Sequence, residues 1–253
     1  MVDIHSHALW GLDDGPETYE ESLAMLRMAA SAGTSDIVAT PHANSQYTFD
    51  PQLVEARVAQ LEGAGERLPR IHRGCDFHLN FVNVRAALEE PGRFTINHRN
   101  YLLVEFPDIG IPAGIDGVFS QFLDGGIVPV VTHPERNELL MRNPDQLARW
   151  VEKHCLMQVT ALSLLGGFGA TAREHAWELM DRRLVHVVAS DAHDAVERHT
   201  RLAEARTAVA RRAGEENAAR LFELNPRAII EGRDVSAIAP MVKHGRRWSS
   251  FWR

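Results

Sequence analysis

Residue types that could do chemistry crowd the start of the chain, which opens Met1-Val2-Asp3-Ile4-His5-Ser6-His7. Side chains on a strand alternate faces, so His5 and His7 are expected to point the same way. Two neutral imidazoles converging at a strand end can hold a transition metal. The competing reading is one core histidine and one surface histidine. Later segments weigh against it, because histidines and carboxylates recur where apolar runs end. Asp13 and Asp14 follow the opening run. Ala39-Thr40-Pro41-His42, Gly74-Cys75-Asp76 and Val104-Glu105 come next, then Thr132-His133-Pro134-Glu135-Arg136 and Ser190-Asp191-Ala192-His193. His5, His7, His42, His133 and His193, with Asp14, Asp76, Glu105 and Asp191, make more nitrogen and oxygen donors than one coordination sphere takes. Carboxylates can bridge ions, so the set fits two or three divalent transition metals, manganese, iron or zinc. Ligating histidines are neutral, so metal affinity is expected to fall in acid.

The elements that would position these residues alternate along the chain. Strands are expected at Val2–His5, Ile37–Thr40, Ile71–Gly74, Tyr101–Glu105, Ile127–Thr132, Leu156–Thr160 and Val185–Ala189. Amphipathic helical patterns lie between them. Pro16 is suited to the first position of one helix, which Gly33 ends. Asp50-Pro51 caps another, running to about Leu68. Further helices are expected at Phe81–Leu88, near Val118–Leu123, at Asp145–His154 and Ala170–Arg183, and after Arg198. Such alternation implies parallel strands with helical crossovers. The expected fold is α/β, a distorted TIM-like barrel of about seven β/α units, with a doubly wound open sheet as the competitor. In either fold, sites are built at the C-terminal ends of the strands, where the nine candidate ligands stand.

At 253 residues the chain can build one large core. We expect a single unit over 1–240 and a tail over 241–253. A net charge of −7 argues against general nucleic-acid binding. Cys75 and Cys155 are too few for a disulfide framework. No basic and apolar leader precedes Val2, and no apolar run approaches the ~20 residues of a membrane span. The expected compartment is the cytoplasm.

As a set, His5-Ser6-His7, Asp14-Gly15, Pro41-His42, His133-Pro134-Glu135-Arg136 and Ser190-Asp191-Ala192-His193 resemble the polymerase-and-histidinol-phosphatase superfamily. The opening Asp3-Ile4-His5-Ser6-His7, Asp13-Asp14-Gly15-Pro16 and the His-Pro-Glu-Arg segment narrow this. They resemble the manganese-dependent protein-tyrosine phosphatases of bacterial capsule and exopolysaccharide operons. The likeness runs from Val2 to about Gly232 and includes Asn225-Pro226-Arg227. It implies a trinuclear centre held by the nine positions above, and phosphate-binding roles for Arg136 and Arg198. It also implies a phosphotyrosine protein as substrate, such as a membrane-associated tyrosine kinase controlling polysaccharide export. The family usually has Glu where this chain has Asp76. The shorter side chain either draws its strand inward or binds one ion less well, and His78 is a candidate compensating donor.

The chemistry expected is attack on phosphorus by a metal-activated hydroxide, in line with the ester oxygen. Arginine forks match the equatorial phosphoryl oxygens. For Arg198 the alternative is a surface residue at a helix start. Asp13, Glu135 and His199 are candidate general acids, and Glu135 alternatively orients a ligand or an arginine. A cysteine mechanism wants an arginine six positions after the thiolate. Phe81 and Ala161 stand there instead. Gly166-Gly167-Phe168-Gly169 reads as a flexible loop near the active-site rim, able to contact substrate.

Rival readings are a small-molecule phosphoesterase of the histidinol-phosphatase kind, an amidohydrolase-type enzyme acting on C–N bonds, and a metal-containing module without activity. No strand lysine is positioned to be a carbamylated bridge, which weighs against the amidohydrolase. Beyond Met241, the tail carries Lys243, His244, Arg246, Arg247, Trp248, Phe251, Trp252 and Arg253. That mixture suits an anionic membrane surface, an acidic partner or a neighbouring subunit, so a homo-oligomer stays open; the alternative is a frayed terminus.

Overall fold

The computed structural model describes residues 1–65, 67–107 and 109–238. The expected tail from Met241 lies outside the described residues. The strands are β1 (Val2–Ser6), β2 (Asp36–Ala39), β3 (His42–Ala43), β4 (Arg70–Arg73), β5 (Asp76–His78), β6 (Tyr101–Glu105), β7 (Val128–Thr132), β8 (Leu156–Thr160) and β9 (Val187–Ala189). The helices are α1 (Tyr19–Ser31), α2 (Pro51–Glu62), α3 (Phe81–Glu89), α4 (Ile115–Asp124), α5 (Glu138–Met141) and α6 (Pro144–Glu152), followed by α7 (Ala161–Leu165), α8 (Gly169–Asp181), α9 (Leu202–Ala213), α10 (Glu215–Ala219) and α11 (Asn225–Glu231). Every strand pairing is parallel. The fold is therefore α/β, as the alternation predicts.

Two sheets form, in the orders β1-β2-β4 and β3-β5-β6-β7-β8-β9. The second and third expected strands are met by β2 and β4, and each is followed by a further short strand beyond its expected limits. Thr40-Pro41 separates β2 from β3, and Gly74-Cys75 separates β4 from β5. Proline lacks the N–H a ladder needs. On the far side, β1 meets the chain just after β9. His7 N–H donates to Ala192 O at 2.8 Å, and Asp191 N–H donates to His5 O at 2.9 Å.

Strand β1 departs from simple alternation. Its register moves from Asp3 opposite Ile37 to Ser6 opposite Ala39, so three steps face two. Such a bulge lets consecutive residues serve one side. Val2 and Ile4 pack in an inner apolar cluster with Val38, Leu103, Val130 and Val187. His5 turns inward as well, above that cluster, and shares its side with His7.

The opposite ends of the strands are closed by α11. Ile229 and Ile230 enter the inner cluster. Asn225 Nδ2 donates to His186 O at 2.7 Å, and Arg227 donates to Asp36 Oδ2 at 2.7 Å. This gives Asn225-Pro226-Arg227 a structural role.

Some helix limits differ from expectation. Pro16 does not begin α1. Its carbonyl accepts from Gly11 N–H in a turn, and Thr18 caps the helix in a reciprocal box with Glu21. That box satisfies two orphan donors, worth about 1 kcal/mol. Asp50 and Pro51 act as expected at α2, but the helix stops at Glu62, before Leu68. Helix α7 was not expected. Among the described residues, no helix is long and apolar enough to cross a membrane.

Candidate metal centre and active site

The C-terminal ends of the strands bring the expected ligands into one space. Three groups offer ligand atoms within 4.8 Å of one another: His7, Asp14, His42 and His193; His5, His7 and Asp76; and His42, Asp76 and Glu105. Shared members make the groups contiguous, and Asp76 belongs to two of them. His133 and Asp191 fall outside the groups but border them. His133 Nε2 lies 3.7 Å from Glu105 Oε1, and Asp191 Oδ1 lies 3.5 Å from both His5 Nε2 and His7 Nε2.

Partners on the far side of the rings aim several histidines. His5 Nδ1 donates to Gln158 Oε1 at 2.9 Å, which leaves Nε2 to face the other candidates. His7 Nδ1 is held by Asp13 Oδ2 at 2.6 Å, and His193 Nδ1 by the Asp191 carbonyl at 3.0 Å. Such outer partners fix tautomer and ring orientation at metal sites. Gly15 lets the Asp13-Asp14 loop lie against β1: a Cβ there would stand 2.4 Å from His7 O. Two candidate residues also adopt left-handed backbone, His133 at φ 35° and Asp191 at φ 51°. Non-glycine residues rarely do, and such strain clusters at functional sites.

The donors fit divalent ions. Asp76 is fully buried, and neither of its oxygens has a hydrogen-bond partner. His42 Nδ1 is likewise unpartnered, although it lies 3.2 Å from Asp76 Oδ2. Buried polar atoms left unpaired are costly, so they mark places where a ligand belongs. The short Asp76 thus reaches the site. His78 also arrives, but against Glu105 Oε2, at 3.3 Å.

Burial and charge pull the titrations apart. Burial opposes the His7 cation, yet the Asp13 carboxylate raises its pKa to about 9. For His42, burial again opposes, and the close Asp14 and Asp76 carboxylates raise it to about 11. Burial would raise Asp191, but the Arg136 guanidinium dominates the opposing charges and holds it well below the usual carboxylate range. His133 is pushed down by burial, then by Arg136.

Both expected arginines are present, on one atom. Arg136 Nη1 lies 2.8 Å, and Arg198 Nη2 3.0 Å, from Asp191 Oδ2. Arg198 is therefore no mere surface residue. A cavity of about 270 Å³ opens between these arginines and the candidate ligands Asp14, His42, Glu105, His133, Asp191 and His193, with Phe168 as its aromatic wall. None of the candidate acids Asp13, Glu135 and His199 lines it. Asp13 holds His7, buried Glu135 accepts from Thr160 N–H, and His199 contacts Val196 O. The cysteines are buried and free, and burial pushes both thiols up, Cys155 to about 12.

Known proteins are similar to this chain over most of its length. The family described as capsular polysaccharide synthesis, CpsB/CapC, matches residues 1–231. This chain belongs to the CpsB/CapC family. Among curated relatives, the putative tyrosine-protein phosphatase CapC of Staphylococcus aureus is 34% identical, over 78% of this chain and 79% of the relative. Tyrosine-protein phosphatase YwqE of Bacillus subtilis is 31% identical over the whole of both chains. CpsB of Streptococcus pneumoniae is 31% identical, over 91% of this chain and 98% of the relative. A crystal structure from work on YwqE and CpsB, described as metal-dependent tyrosine phosphatases, matches with a TM-score of 0.88 at 30% identity. That match covers 95% of this chain and 98% of the other. A β-aspartyl dipeptidase from Fervidobacterium islandicum shares the fold alone, with a TM-score of 0.56 at 15% identity over 95% of this chain and 76% of that one.

Gln158 was the residue hardest to find in the sequence. Gln158 is a lone amide within the otherwise strand-like Leu-Met-Gln-Val-Thr. Phe168 belongs to the Gly166-Gly167-Phe168-Gly169 segment expected near the active-site rim, and it lines the cavity there.

Proposed function

We propose that this protein is a metal-dependent phosphatase that hydrolyses phosphotyrosine on a protein substrate, a tyrosine kinase regulating capsular or exopolysaccharide synthesis. The observation that carries this reading is the pair of arginines on Asp191 Oδ2, beside contiguous groups of candidate ligands. The CpsB/CapC membership and the names of the relatives support the substrate.

His5, His7, Asp14, His42, Asp76, Glu105, His133, Asp191 and His193 would hold two or three ions, manganese by preference, with iron or zinc as alternatives. Bound divalent ions supply a water of lowered pKa and neutralise charge on phosphoryl oxygens. The protein's own groups do the rest. Arg136 and Arg198 turn from Asp191 Oδ2 to the phosphoryl oxygens, where their forks match the equatorial geometry. Asp13 and Gln158 hold His7 and His5 in the ligating tautomer. Tyrosinate leaves with a pKa of about 10, so it needs less protonation than an alkoxide. That suits a cavity lined by none of the three candidate acids.

The reading includes a distorted seven-unit barrel over 1–240, in which β2 with β3 and β4 with β5 each count as one staved strand. The hydrogen bonds between β1 and the chain after β9 support closure. It also includes a cytoplasmic location, which two free cysteines fit. The basic and aromatic tail over 241–253 is assigned to peripheral contact with a membrane or partner.

The test is aryl-phosphate hydrolysis by metal-stripped protein, with manganese, zinc, iron or magnesium returned. Wild type is run beside His7→Ala and Arg136→Ala, with a phosphotyrosine peptide against histidinol phosphate. Metal-restored turnover that prefers the peptide, and is lost in both variants, is expected. No turnover with any metal would sink the phosphatase reading. A preference for histidinol phosphate would move it to small molecules.

A further inference from the structure

Strand β8 is the exception at the rim. Its inward Gln158 holds His5, and it contributes none of the nine candidate ligands. What its following loop contributes is Phe168, between α7 and α8. The ring centroid lies 4.7 Å from Arg136 Cζ and 5.9 Å from Arg198 Cζ. The ring therefore lies within cation–π range of both guanidiniums that bind Asp191 Oδ2. Phe168 is half-buried and lines the cavity that holds the ligands and the arginines. It stands between Gly166 at φ 88° and Gly169 at φ 92°. Glycine takes those angles without steric cost, so the loop can present a bulky ring on a tight turn.

We infer that Phe168 is the specificity-determining residue of this site, the wall against which the aryl ring of a phosphate monoester packs. The inference rests on the phosphatase reading. A phosphoryl group held by Arg136 and Arg198 carries its ester substituent within reach of a ring that already lies over both guanidiniums. An aryl substituent can stack on Phe168 or meet it edge to face, with the gain such ring pairs show. A methyl or other small alkyl substituent offers little surface to the ring. Phe168 would thus favour phosphotyrosine over alkyl phosphates through the leaving group, leaving recognition of the phosphoryl group to the arginines.

The experiment compares binding of phenylphosphonate and methylphosphonate to the metal-loaded protein by calorimetry, in wild type, Phe168→Ala and Phe168→Trp. Neither ligand is hydrolysed, so the readout does not depend on turnover. Wild type is expected to prefer phenylphosphonate by about tenfold, from ring pairing and burial together. Phe168→Ala should lose that preference while binding methylphosphonate as wild type does, and Phe168→Trp should keep it. In turnover, the KM for a phosphotyrosine peptide should rise by about tenfold in Phe168→Ala, with kcat nearly unchanged. Equal weakening of both phosphonates in Phe168→Ala would overturn the inference, because the ring would then only prop the guanidiniums. So would a wild type that does not discriminate between them. Failure of the phosphatase reading looks different: no aryl-phosphate turnover with any metal, whatever the phosphonates do.

Discussion

At the N-terminal ends of the strands, Asp36 accepts from Arg227 and lies 3.0 Å from His72 Nε2, while the other nitrogen of that ring meets Asn97. At the C-terminal ends, Asp76 is buried with neither oxygen hydrogen-bonded, and Asp191 takes two arginines on one oxygen and turns the other toward His5 and His7. The residue types are the same: aspartate, histidine and arginine. Below, each charge is answered within the protein, and the group joins α11 to β2 and β4. Above, charges are gathered that the protein alone does not satisfy, on backbone strained at His133 and Asp191. Residue type therefore does not distinguish a clamp from a reactive centre. The difference lies in which polar atoms remain without a partner.

The largest effect expected from this contrast is a separation of activity from stability. Arg136→Ala should lower aryl-phosphate kcat/KM of the metal-loaded protein by about 10²–10³-fold, the scale for removing one preorganised charge stabiliser. Asp36→Ala should leave kcat/KM within about twofold but destabilise the protein by about 2 kcal/mol, because Arg227 and His72 each lose their charged partner. In a chain of this size that lowers Tm by roughly 4–8 °C. Kinetics and thermal melts on the two variants check it. A stable, inactive Asp36→Ala would break the division between the two ends.

A smaller effect is expected at Gly15. A Cβ there meets His7 O at 2.4 Å and Asp13 Oδ1 at 3.1 Å, so the loop must shift. Gly15→Ala should raise the manganese concentration for half-maximal activity by about tenfold, as lost support for a metal ligand commonly does. An unchanged metal titration would mean that Asp13 and Asp14 do not need this close approach.

The lower end also carries a pH dependence. His186 is buried, its Nδ1 accepts from Met157 N–H, and burial lowers its pKa to about 4. The unfolded chain, with a histidine pKa of about 6.5, binds more protons between those values. Stability from this group is therefore complete above about pH 6.5 and falls as the pH drops toward 4, by about 3 kcal/mol in all. Urea midpoints of chelator-treated protein across that window should fall less steeply in His186→Gln, whose amide oxygen can still accept. Parallel slopes for the two proteins would assign the acid sensitivity to the upper end.

These contrasts also mark how far the sequence could be read. Tyr101–Glu105 and Leu156–Thr160 were legible to the residue, because each is an apolar run cut off by its surroundings. The convergence of the nine candidate positions was legible because strand ends are where parallel folds collect polar groups. The short strands β3 and β5 that follow the second and third expected strands were not, since they depend on which neighbours those residues bond. The bulge in β1 was hidden for the same reason: alternation predicted the shared face of His5 and His7, but not that Ile4 would face inward beside them. Gln158 and Phe168 act through partners distant in sequence, His5 and the two arginines. Pro16 misled because a capping box two residues later competes for the same helix start.

The smallest effect is expected where neither end is involved. The CpsB/CapC match stops at residue 231, and every candidate ligand and arginine lies between His5 and Arg198. The segment Met241–Arg253 brings lysine, arginine and tryptophan to a chain whose net charge is −7. Basic residues near an anionic bilayer gain about 1 kcal/mol each, an attraction that salt screens. Deleting this segment should leave kcat/KM for a small aryl phosphate within about twofold, because a small substrate needs only the upper cavity. The same deletion should abolish any salt-sensitive binding to vesicles rich in phosphatidylserine, measured by co-sedimentation. A large loss of small-substrate turnover would instead make the tail part of the upper end, so that the reactive centre would draw on the chain's last residues as well as its strand ends.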